Sequence, residues 1–344
     1  MPEYTEVLDH GFVGLIDHMG DDSSVVNAAR VSYGSGTKAV SSDEGLIRYL
    51  LRHQHTTPFE MVSFKFHLKM PIFVARQFIR HRTAKINEIS GRYSVLDNEM
   101  YIPSPDVVST QAKNNKQGRN STPLNEDDYR AVCDALDDLY NSSYETYEYL
   151  CGPQEGHVAA VPSHLYARRL EVEKAAMEAI QASRNAQMHK PIEEQVSFTK
   201  ERIELIISEW LTNAGVHVPS SEYKGIAREL ARIVLPLSTY TQFYWKNDMH
   251  NLFHFLKLRM DSHAQYEIRV YADAMYNLIK DTVPYSIKAF DDYIRNAKLF
   301  SRMEKDIVRM AMNSEIDITN HDDVASKMET MGASKREIRE FLDL

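Results

Sequence analysis

Polar and apolar residues alternate strictly between Ser63 and Met70, in the order Ser-Phe-Lys-Phe-His-Leu-Lys-Met. An alternation of period two is typical of a β-strand that buries one face. Pro71 follows directly, and neither proline nor glycine occurs again before Gly91. Because proline fits the first turn of a helix, the pattern predicts that this strand leads into a helix from about Ile72.

The predicted helix has a polar face and an apolar face. Phe73, Gln77 and Arg80 are spaced i, i+4 and i+7, so they lie on the same side. We therefore expect Gln77 and Arg80 to reach one ligand together, while the opposite face packs inward.

A second strand and helix are predicted closer to the other end of the chain. The run Thr239–Trp245 is aromatic and β-branched, which favours a strand. Helical periodicity follows from near Asp248, with apolar positions facing inward and with His250 and His254 together on the other face. A histidine pair at this spacing is more often polar surface than a metal site.

Amphipathic periodicity and capping residues predict further helices. They begin near Asp22 and Ser42, run from about Asp127 to Leu150, form a pair between 155 and 221, cover Ile268 to Leu278, and end the chain after the capping box Ser334-x-x-Glu337. The segment from Gln111 to Asp128 has almost no apolar residue, and we expect it to be a mobile loop.

The composition is that of a globular protein with an acidic balance. Of the 344 residues, 43% are hydrophobic and 26% are charged, and 40 basic against 49 acidic side chains give a net charge of −9. This charge argues against a general electrostatic grip on nucleic acid. The first residues are acidic where a signal peptide needs basic and apolar ones, and no apolar run is long enough to span a membrane. We expect a cytoplasmic protein that contacts neither nucleic acid nor membrane.

Cysteine and histidine spacings do not predict a metal site. Cys133 and Cys151 are the only cysteines, and they form neither a zinc motif nor a disulfide framework. His53 and His55 are two positions apart, but no third ligand follows at a suitable spacing.

Basic side chains are concentrated just after the first predicted strand. The cluster contains Arg76, Arg80, His81, Arg82, Lys85 and Arg92, with Glu88 among them. Arginine presents a planar fork of donors that matches pairs of phosphate oxygens. In an acidic chain the cluster therefore indicates a local pocket for an anionic ligand; the alternative is a solvated basic face.

Arg80-His81-Arg82, followed after seven residues by Ser90, resembles the RHR(x)7S signature of the flavin-dependent thymidylate synthases. This family is unrelated to the cysteine-dependent synthases. The similarity extends through Asn87-Glu88 and Ser90–Ser94, and it includes the block His55–Glu60 and the run Leu258–Gln265, which is similar to LRxDSHAQ.

The resemblance covers roughly Leu8 to Tyr101 and Ala227 to Ala289. Lys85 departs from it, because many members carry serine at this position, and Asp248 and His250 replace an asparagine and an arginine that the family often shows.

The resemblance implies an α/β (α+β) fold with a small, mainly antiparallel sheet flanked by helices. Residues 1–300 would form one catalytic domain with a helical insertion at about 155–221, and residues 301–344 would be a helical C-terminal extension. It also implies a homotetramer whose active sites are shared between subunits.

The implied activity is reductive methylation of dUMP to dTMP. Methylenetetrahydrofolate would be the carbon donor, and FAD reduced by NADPH would be the hydride source. No cysteine is placed to attack the pyrimidine, so the enzyme would work without a thiol nucleophile.

Site residues follow by position from the resemblance. The implied dUMP contacts are Gln77, Arg80, Glu88, Ser90, Gly91, Arg92, Arg232 and Arg259, with Arg259 also the expected catalytic residue. The implied FAD contacts are Thr57, Arg80, His81, Arg82, Glu88, Asp248, His250 and His254, with His55 and Glu60 as further candidates. For Arg232 and Arg259 the alternative role is structural ion pairing.

Two other functions are compatible with parts of the sequence. A nucleotide- or RNA-binding protein could use the basic cluster for phosphate without catalysis, although the acidic net charge and the lack of aromatic stacking motifs argue against it. A histidine-dependent metal hydrolase would lack its third ligand and its base.

Overall fold

The computed structural model describes residues 3–31, 43–113, 118–153, 162–187, 199–216 and 223–343. Its strands are β1 (Glu3–Val7), β2 (Gly11–Met19), β3 (Ser63–Pro71), β4 (Lys85–Glu88), β5 (Ser109–Gln111), β6 (Arg119–Pro123) and β7 (Tyr240–Asp248). Five of them form one antiparallel sheet in the order β1-β2-β3-β7-β4, and β5 pairs with β6 in a separate hairpin.

Helices account for most of the remaining described chain. They are α1 (Asp22–Val31), α2 (Asp43–Arg52), α3 (Ile72–Phe78), α4 (Glu126–Cys151), α5 (Ser163–Gln187), α6 (Lys200–Asn213), α7 (Arg228–Ala231), α8 (Met249–Arg259), α9 (Tyr266–Ile279), α10 (Pro284–Phe290), α11 (Arg302–Met312), α12 (His321–Thr330) and α13 (Lys335–Leu342). The expected mixed fold with a small antiparallel sheet is confirmed. Ser42, near which α2 was expected to begin, lies outside the described residues.

The strands β3 and β7 pair along their whole length, from Ser63 opposite Asp248 to Pro71 opposite Tyr240. The alternation in β3 buries Phe64, Phe66 and Leu68 completely, as the sequence predicts. This pairing brings two distant segments of the chain side by side.

Phe78 joins the sheet to the helices that cover it. It is fully buried, and its ring lies 6.1 Å from the centroid of Trp245 in β7, 4.7 Å from Phe255 in α8 and 6.3 Å from Tyr271 in α9. A fully buried phenylalanine removes a large apolar surface from water, so this contact stabilises the layer of helices on the sheet.

Helix α3 is shorter than the sequence predicts. Pro71 is still paired in β3, and the first helical N–H groups, of Ile72 and Phe73, donate to the carbonyl oxygens of Thr239 and Leu237. The helix ends at Phe78 because the next residues turn towards the edge strand β4. Arg80 therefore lies in a turn, and the prediction that it shares a helix face with Gln77 is wrong.

The segment expected to be a mobile loop contains the β5–β6 hairpin. Polar side chains stabilise it: Ser109 Oγ donates to the carbonyl of Asn120, and Gln111 Nε2 donates to that of Gly118, both at 2.6 Å. Asn125 then caps α4. The expectation is therefore wrong for the described part of this segment, because hydrogen bonds replace the apolar alternation from which a strand is recognised.

The described residues form two compact units. The first contains the residues up to Val31 and from Thr57 to Thr282, and the second contains Asp43 to Thr56 and Val283 to Asp343. The second unit includes α2 and α10 as well as the predicted extension at 301–344. In the extension, α11, α12 and α13 share an apolar core that includes Ile307, Val324 and Phe341, and Ser334 forms the predicted capping box.

The region predicted to be a helical insertion contains α5 and α6, which pack on each other. Its other residues, 154–161, 188–198 and 217–222, lie outside the described parts of the chain. In the part that is described, no helix has the length and apolar content needed to cross a bilayer.

Two glycines allow a close crossing of the backbone before α7. Gly152 has a φ of +74° and a ψ of −176°, and a Cβ there would lie 2.2 Å from the carbonyl oxygen of Lys224. Gly225 has a φ of +85°, and a Cβ on it would lie 2.6 Å from the carbonyl oxygen of Cys151. The crossing needs glycine on both sides, because no other residue combines this backbone conformation with the absence of a Cβ.

We predict that Gly152→Ala lowers the free energy of unfolding by about 2–5 kcal/mol, from backbone strain and overpacking together. Gly332→Ala is the matched control, because Gly332 also has a positive φ, of +94°, but a Cβ there would meet no described atom within 4 Å. The control should lose only about 1 kcal/mol. Denaturant unfolding measures both variants, and equal losses would contradict the importance of the crossing.

Candidate active site

The edge strand β4 holds Glu88 against the centre of the sheet. Thr241 Oγ1, in β7, donates to Glu88 Oε1 at 2.6 Å, and the N–H of Ile89 donates to the carbonyl of Gln242. Glu88 is exposed on its other side. Its carboxylate is therefore fixed in direction while it remains able to contact a ligand.

A tight turn follows β4. The N–H groups of Tyr93 and Ser94 donate to the carbonyl of Ser90, and the N–H of Arg92 lies 3.4 Å from Ser90 Oγ. The guanidinium of Arg92 is exposed and lies over the ring of Tyr93, 5.5 Å from its centroid. The turn thus presents the Ser90 hydroxyl region and the Arg92 cation side by side.

Arg232 lies beside this turn. Gly91 is buried, and a Cβ on it would lie 3.4 Å from Cδ of Arg232. Arg228 Nη1 also donates to the carbonyl of Tyr93, at 2.8 Å. The structure therefore places Arg232 beside the turn that contains Ser90, Gly91 and Arg92.

A second group forms where α8 meets the turn after α3. Arg259 Nε donates to His81 Nε2 at 3.1 Å, and the His81 ring lies 6.1 Å from His254 and 4.8 Å from Phe255. Burial, and secondarily the charges of Arg259 and His254, lower the pKa of His81 to about 4. His81 is therefore a neutral acceptor at physiological pH, with its own proton on Nδ1.

Gln77 is connected to a buried ion pair through a second amide. Gln77 Nε2 donates to Gln265 Oε1 at 2.6 Å, and Gln265 Nε2 donates to Glu267 Oε2 at 2.9 Å. Glu267 is only 3% exposed, and Arg119 Nη2 lies 2.8 Å from both of its oxygens. Tyr101 donates to Glu267 Oε1 at 3.2 Å.

Several cations of the site have no anionic partner. Among the described residues, Arg80, Arg82, Arg92 and Arg232 form no ion pair, whereas Arg48, Arg119 and Arg169 do. All four are exposed. Exposed guanidinium groups without a carboxylate partner are available to bind an anion.

The remaining residues expected to contact FAD differ in what holds them. Thr57 is exposed at the start of a 3₁₀ turn, Thr57–Met61, and His250 is half-buried in the first turn of α8. Asp248 is the N-cap of α8, and both carboxylate oxygens accept from Asn251. Its side chain is thus engaged in the helix cap, while its role towards a ligand stays a prediction.

The structure brings some of the predicted site residues into contact. His81 contacts Arg259 and lies beside His254 of α8, Gln77 contacts Gln265 at the start of α9, and Gly91 packs against Arg232 beyond β4. The sequence reasoning missed Arg119 and Glu267; Glu267 follows the matched run by two positions, but nothing in its pattern pointed to burial.

Metal binding finds no support in the described part of the chain, where no cluster of three or more His, Cys, Asp or Glu side chains could hold an ion. His53 and His55 lie beside Tyr49, with ring centroids 4.4 and 5.9 Å from it.

Comparison with known proteins identifies the family. The sequence model of the family described as thymidylate synthase complementing protein matches residues 14–285. A protein of Ruegeria pomeroyi named flavin-dependent thymidylate synthase is 44% identical over 338 residues, which cover 98% of this chain and 86% of the relative. This chain belongs to the flavin-dependent thymidylate synthase family.

Other members of the family are similarly close. A flavin-dependent thymidylate synthase of Wolbachia pipientis is 43% identical over 313 residues, covering 91% of this chain and 85% of that protein. The resemblance read from the signature is thereby confirmed. It also extends beyond the two matching segments, because the family model spans the middle region and the first relative covers almost the whole chain.

A solved structure supports the fold. The UMP/dUMP methylase PolB from Streptomyces cacaoi, bound with 5-Br UMP, has a TM-score of 0.56 and is 27% identical, covering 84% of this chain and 97% of that one. Its complex with 5-Br dUMP gives the same TM-score at 26% identity.

We predict that the His81 ring stays neutral when the pH falls to 5.5. Its pKa in the folded protein, about 4, is below its ordinary value of 6.5, so folding releases a proton between these values. The neutral His81 ring therefore makes its full contribution to the free energy of unfolding above pH 6.5, and this contribution is lost as the pH falls towards 4. NMR of ¹³C-labelled histidines, assigned with His81→Gln, measures the titration.

Arg259→Leu should raise the pKa of His81, because it removes a positive charge that opposes protonation. Lys257→Leu removes a charge from the same helix without removing a donor to His81, and it is the matched control. A His81 that titrates at its ordinary value in the unmodified protein, or that responds equally to both substitutions, would refute this account.

Proposed function

We propose that this chain converts dUMP to dTMP by reductive methylation, with methylenetetrahydrofolate as carbon donor and with FAD reduced by NADPH as hydride source. The family membership supports the reaction class. The observation that carries the proposal is the set of exposed arginines that form no ion pair with described residues, in a chain with a net charge of −9. dUMP and FAD both supply phosphate groups that such arginines bind.

The dUMP site is proposed to consist of Gln77, Arg80, Glu88, Ser90, Gly91, Arg92, Arg232 and Arg259. Arg92 and Arg232 suit the phosphate, since the close packing of Gly91 against Arg232 keeps their side chains in one region. The backbone turn at Ser90 leaves its hydroxyl near the same place. Glu88 can accept a hydrogen bond from a donor group of the nucleotide, because Thr241 donates to Oε1 and leaves Oε2 for this contact.

Arg259 is the proposed catalytic residue. Its Nε is taken by the neutral His81, so the two terminal nitrogens of its fork are directed elsewhere and can contact the uracil ring. A fixed cation there favours negative charge on the ring, including ionisation at N3. His81 thus orients Arg259 rather than exchanging protons itself at neutral pH.

The FAD site is proposed to use Thr57, Arg80, His81, Arg82, Glu88, Asp248, His250 and His254. The residues fit the cofactor, because Arg80 and Arg82 are exposed, form no ion pair with described residues and match the two negative charges of a diphosphate. When bound, FAD supplies the hydride that completes the methyl group. Asp248 is proposed to contribute as the helix cap that orders the first turn of α8.

The reaction is proposed to proceed without a protein thiol. Burial raises the pKa of Cys151, which packs with Tyr147 and Ala231, and a protonated thiol is a poor nucleophile. Cys133 is half-buried on α4. Both positions are explained by packing.

The active enzyme is proposed to be a cytoplasmic homotetramer with active sites shared between subunits. The support is the resemblance of the sequence to the family, which implies this assembly. A neighbouring subunit that contributes residues to the site would then complete it for two phosphorylated ligands.

We predict that the purified protein is yellow, oxidises NADPH and forms dTMP from dUMP only when methylenetetrahydrofolate is present. Flavin absorbance and product analysis by chromatography test this directly. A colourless protein that FAD does not reconstitute would refute the proposed function.

Arg92→Ala should keep the flavin but weaken dUMP binding by about 2–5 kcal/mol if its guanidinium is a desolvated phosphate partner.

We predict that the variant with both Cys133→Ser and Cys151→Ser keeps its turnover per folded, flavin-loaded molecule. Its stability should fall by about 0.5–3 kcal/mol, as is usual for core substitutions. Arg259→Ala is the contrasting variant, expected to fold but to lose most turnover. A well-folded but inactive double cysteine variant would indicate thiol-dependent chemistry instead.

A further inference from the structure

Glu267 is the most deeply buried carboxylate connected to the candidate active site. It is 3% exposed, and its oxygens receive hydrogen bonds from Arg119, Tyr101 and Gln265. Arg119 is itself held by the carbonyl of Val107, to which Nη1 donates at 2.6 Å. The Glu267 carboxylate therefore has a defined position, and Arg119 of the β5–β6 hairpin is its positively charged partner.

The charge of Glu267 decides how the Gln265 amide is oriented. A carboxylate paired with a guanidinium can only accept hydrogen bonds, so Gln265 must turn its NH₂ group towards Glu267. Its carbonyl oxygen then faces Gln77, 2.6 Å from Nε2. Gln77 must in turn use its NH₂ group for this contact, which leaves its carbonyl oxygen for a ligand.

We propose that Glu267 is a positioning residue that acts through Gln265 to make Gln77 a hydrogen-bond acceptor towards the nucleotide. This rests on the proposed function, in which Gln77 contacts dUMP. The group that Gln77 recognises is then a donor, either the ring N3–H or the 3′-hydroxyl of dUMP. A rotated Gln77 amide would present NH₂ to the same donor and lose the contact.

The hydrogen bonds from Gln77 to Gln265 and from Gln265 to Glu267 form an amide series. The substitution Glu267→Gln reverses the donor and acceptor roles along this series. Arg119 contacts both oxygen positions, but Tyr101 donates only to the Oε1 position, so the new carbonyl oxygen takes that position. The new NH₂ group then faces Gln265, whose amide must rotate to accept. Gln265 then offers NH₂ to Gln77, and Gln77 rotates to accept from it. Two amide rotations thereby transmit the substitution at the buried residue 267 to the half-buried Gln77.

The test is a double-mutant cycle on dUMP affinity, measured by calorimetry on the full-length, FAD-loaded protein. Gln77→Leu and Glu267→Gln are each expected to weaken dUMP binding about 5- to 30-fold, the effect of one hydrogen bond to a desolvated site. The variant with both substitutions should be no weaker than Gln77→Leu alone. If the fold loss of dUMP affinity in the double variant equals the product of the two single losses, the proposal is overturned, because Glu267 would then act independently of Gln77.

Tyr101→Phe is the matched control. It removes a hydrogen bond to Glu267 Oε1 but leaves the Oε2 atom that accepts from Gln265, so dUMP affinity should change less than twofold. If Glu267→Gln does not fold, Gln265→Leu takes its place, since it interrupts the series while the ion pair with Arg119 remains. Unchanged affinity in Gln265→Leu, or a loss in Tyr101→Phe equal to that in Glu267→Gln, would overturn the proposal.

Two analogues identify the donor. N3-methyl-dUMP lacks the ring donor, and 2′,3′-dideoxy-UMP lacks the hydroxyl donor. In the unmodified protein one analogue should bind more weakly than dUMP, and this difference should largely vanish in Gln77→Leu and in Glu267→Gln; a difference that persists in both variants would refute the amide series.

The outcomes separate this proposal from the proposed function. If the unmodified protein forms dTMP but Gln77→Leu keeps full dUMP affinity, the amide series is refuted and the reaction stands. If the unmodified, flavin-loaded protein does not bind dUMP, the proposed function itself is refuted, and the positioning role of Glu267 with it.

Discussion

The antiparallel pairing of β3 with β7 is the constraint on which the candidate site depends. It runs from Ser63 opposite Asp248 to Pro71 opposite Tyr240, so it fixes where each strand delivers the chain. One end of β3 leads into α3 and Gln77, and the far end of β7 leads into α8 and Arg259. A shift of this register by one residue would turn Phe64 and Phe66 out of the core, so burial enforces the pairing strongly.

The edge strand β4 depends on the same pairing. It adds to the free side of β7, and Thr241 holds Glu88 in place there. The chain can return to this edge because α3 stops at Phe78, whose ring packs between the sheet and the helices. The short helix is thus a consequence of core packing, and it places the signature residues in turns where they are accessible.

Local patterns in the sequence predicted the parts of the fold that local interactions determine. The alternation in β3, the aromatic run of β7 and the capping box at Ser334 were recognised because each is set by neighbouring residues. The polar β5–β6 hairpin was missed because its own hydrogen bonds replace the apolar alternation from which a strand is recognised. The end of α3 was missed because it depends on contacts made across the fold. The partnership of Arg119 with Glu267 has the same origin, since no spacing relates two residues on separate elements.

The described arginines include some that pair with carboxylates of the fold and others that do not. Arg119 is paired with a buried carboxylate and stabilises a fixed geometry, so replacing either partner would leave an uncompensated charge. Arg80, Arg82, Arg92 and Arg232 have no such partner among the described residues, and all four are exposed. Their charges are therefore not used by the fold in the way that the charge of Arg119 is. A ligand that bound these side chains in the folded form alone would stabilise the protein by mass action.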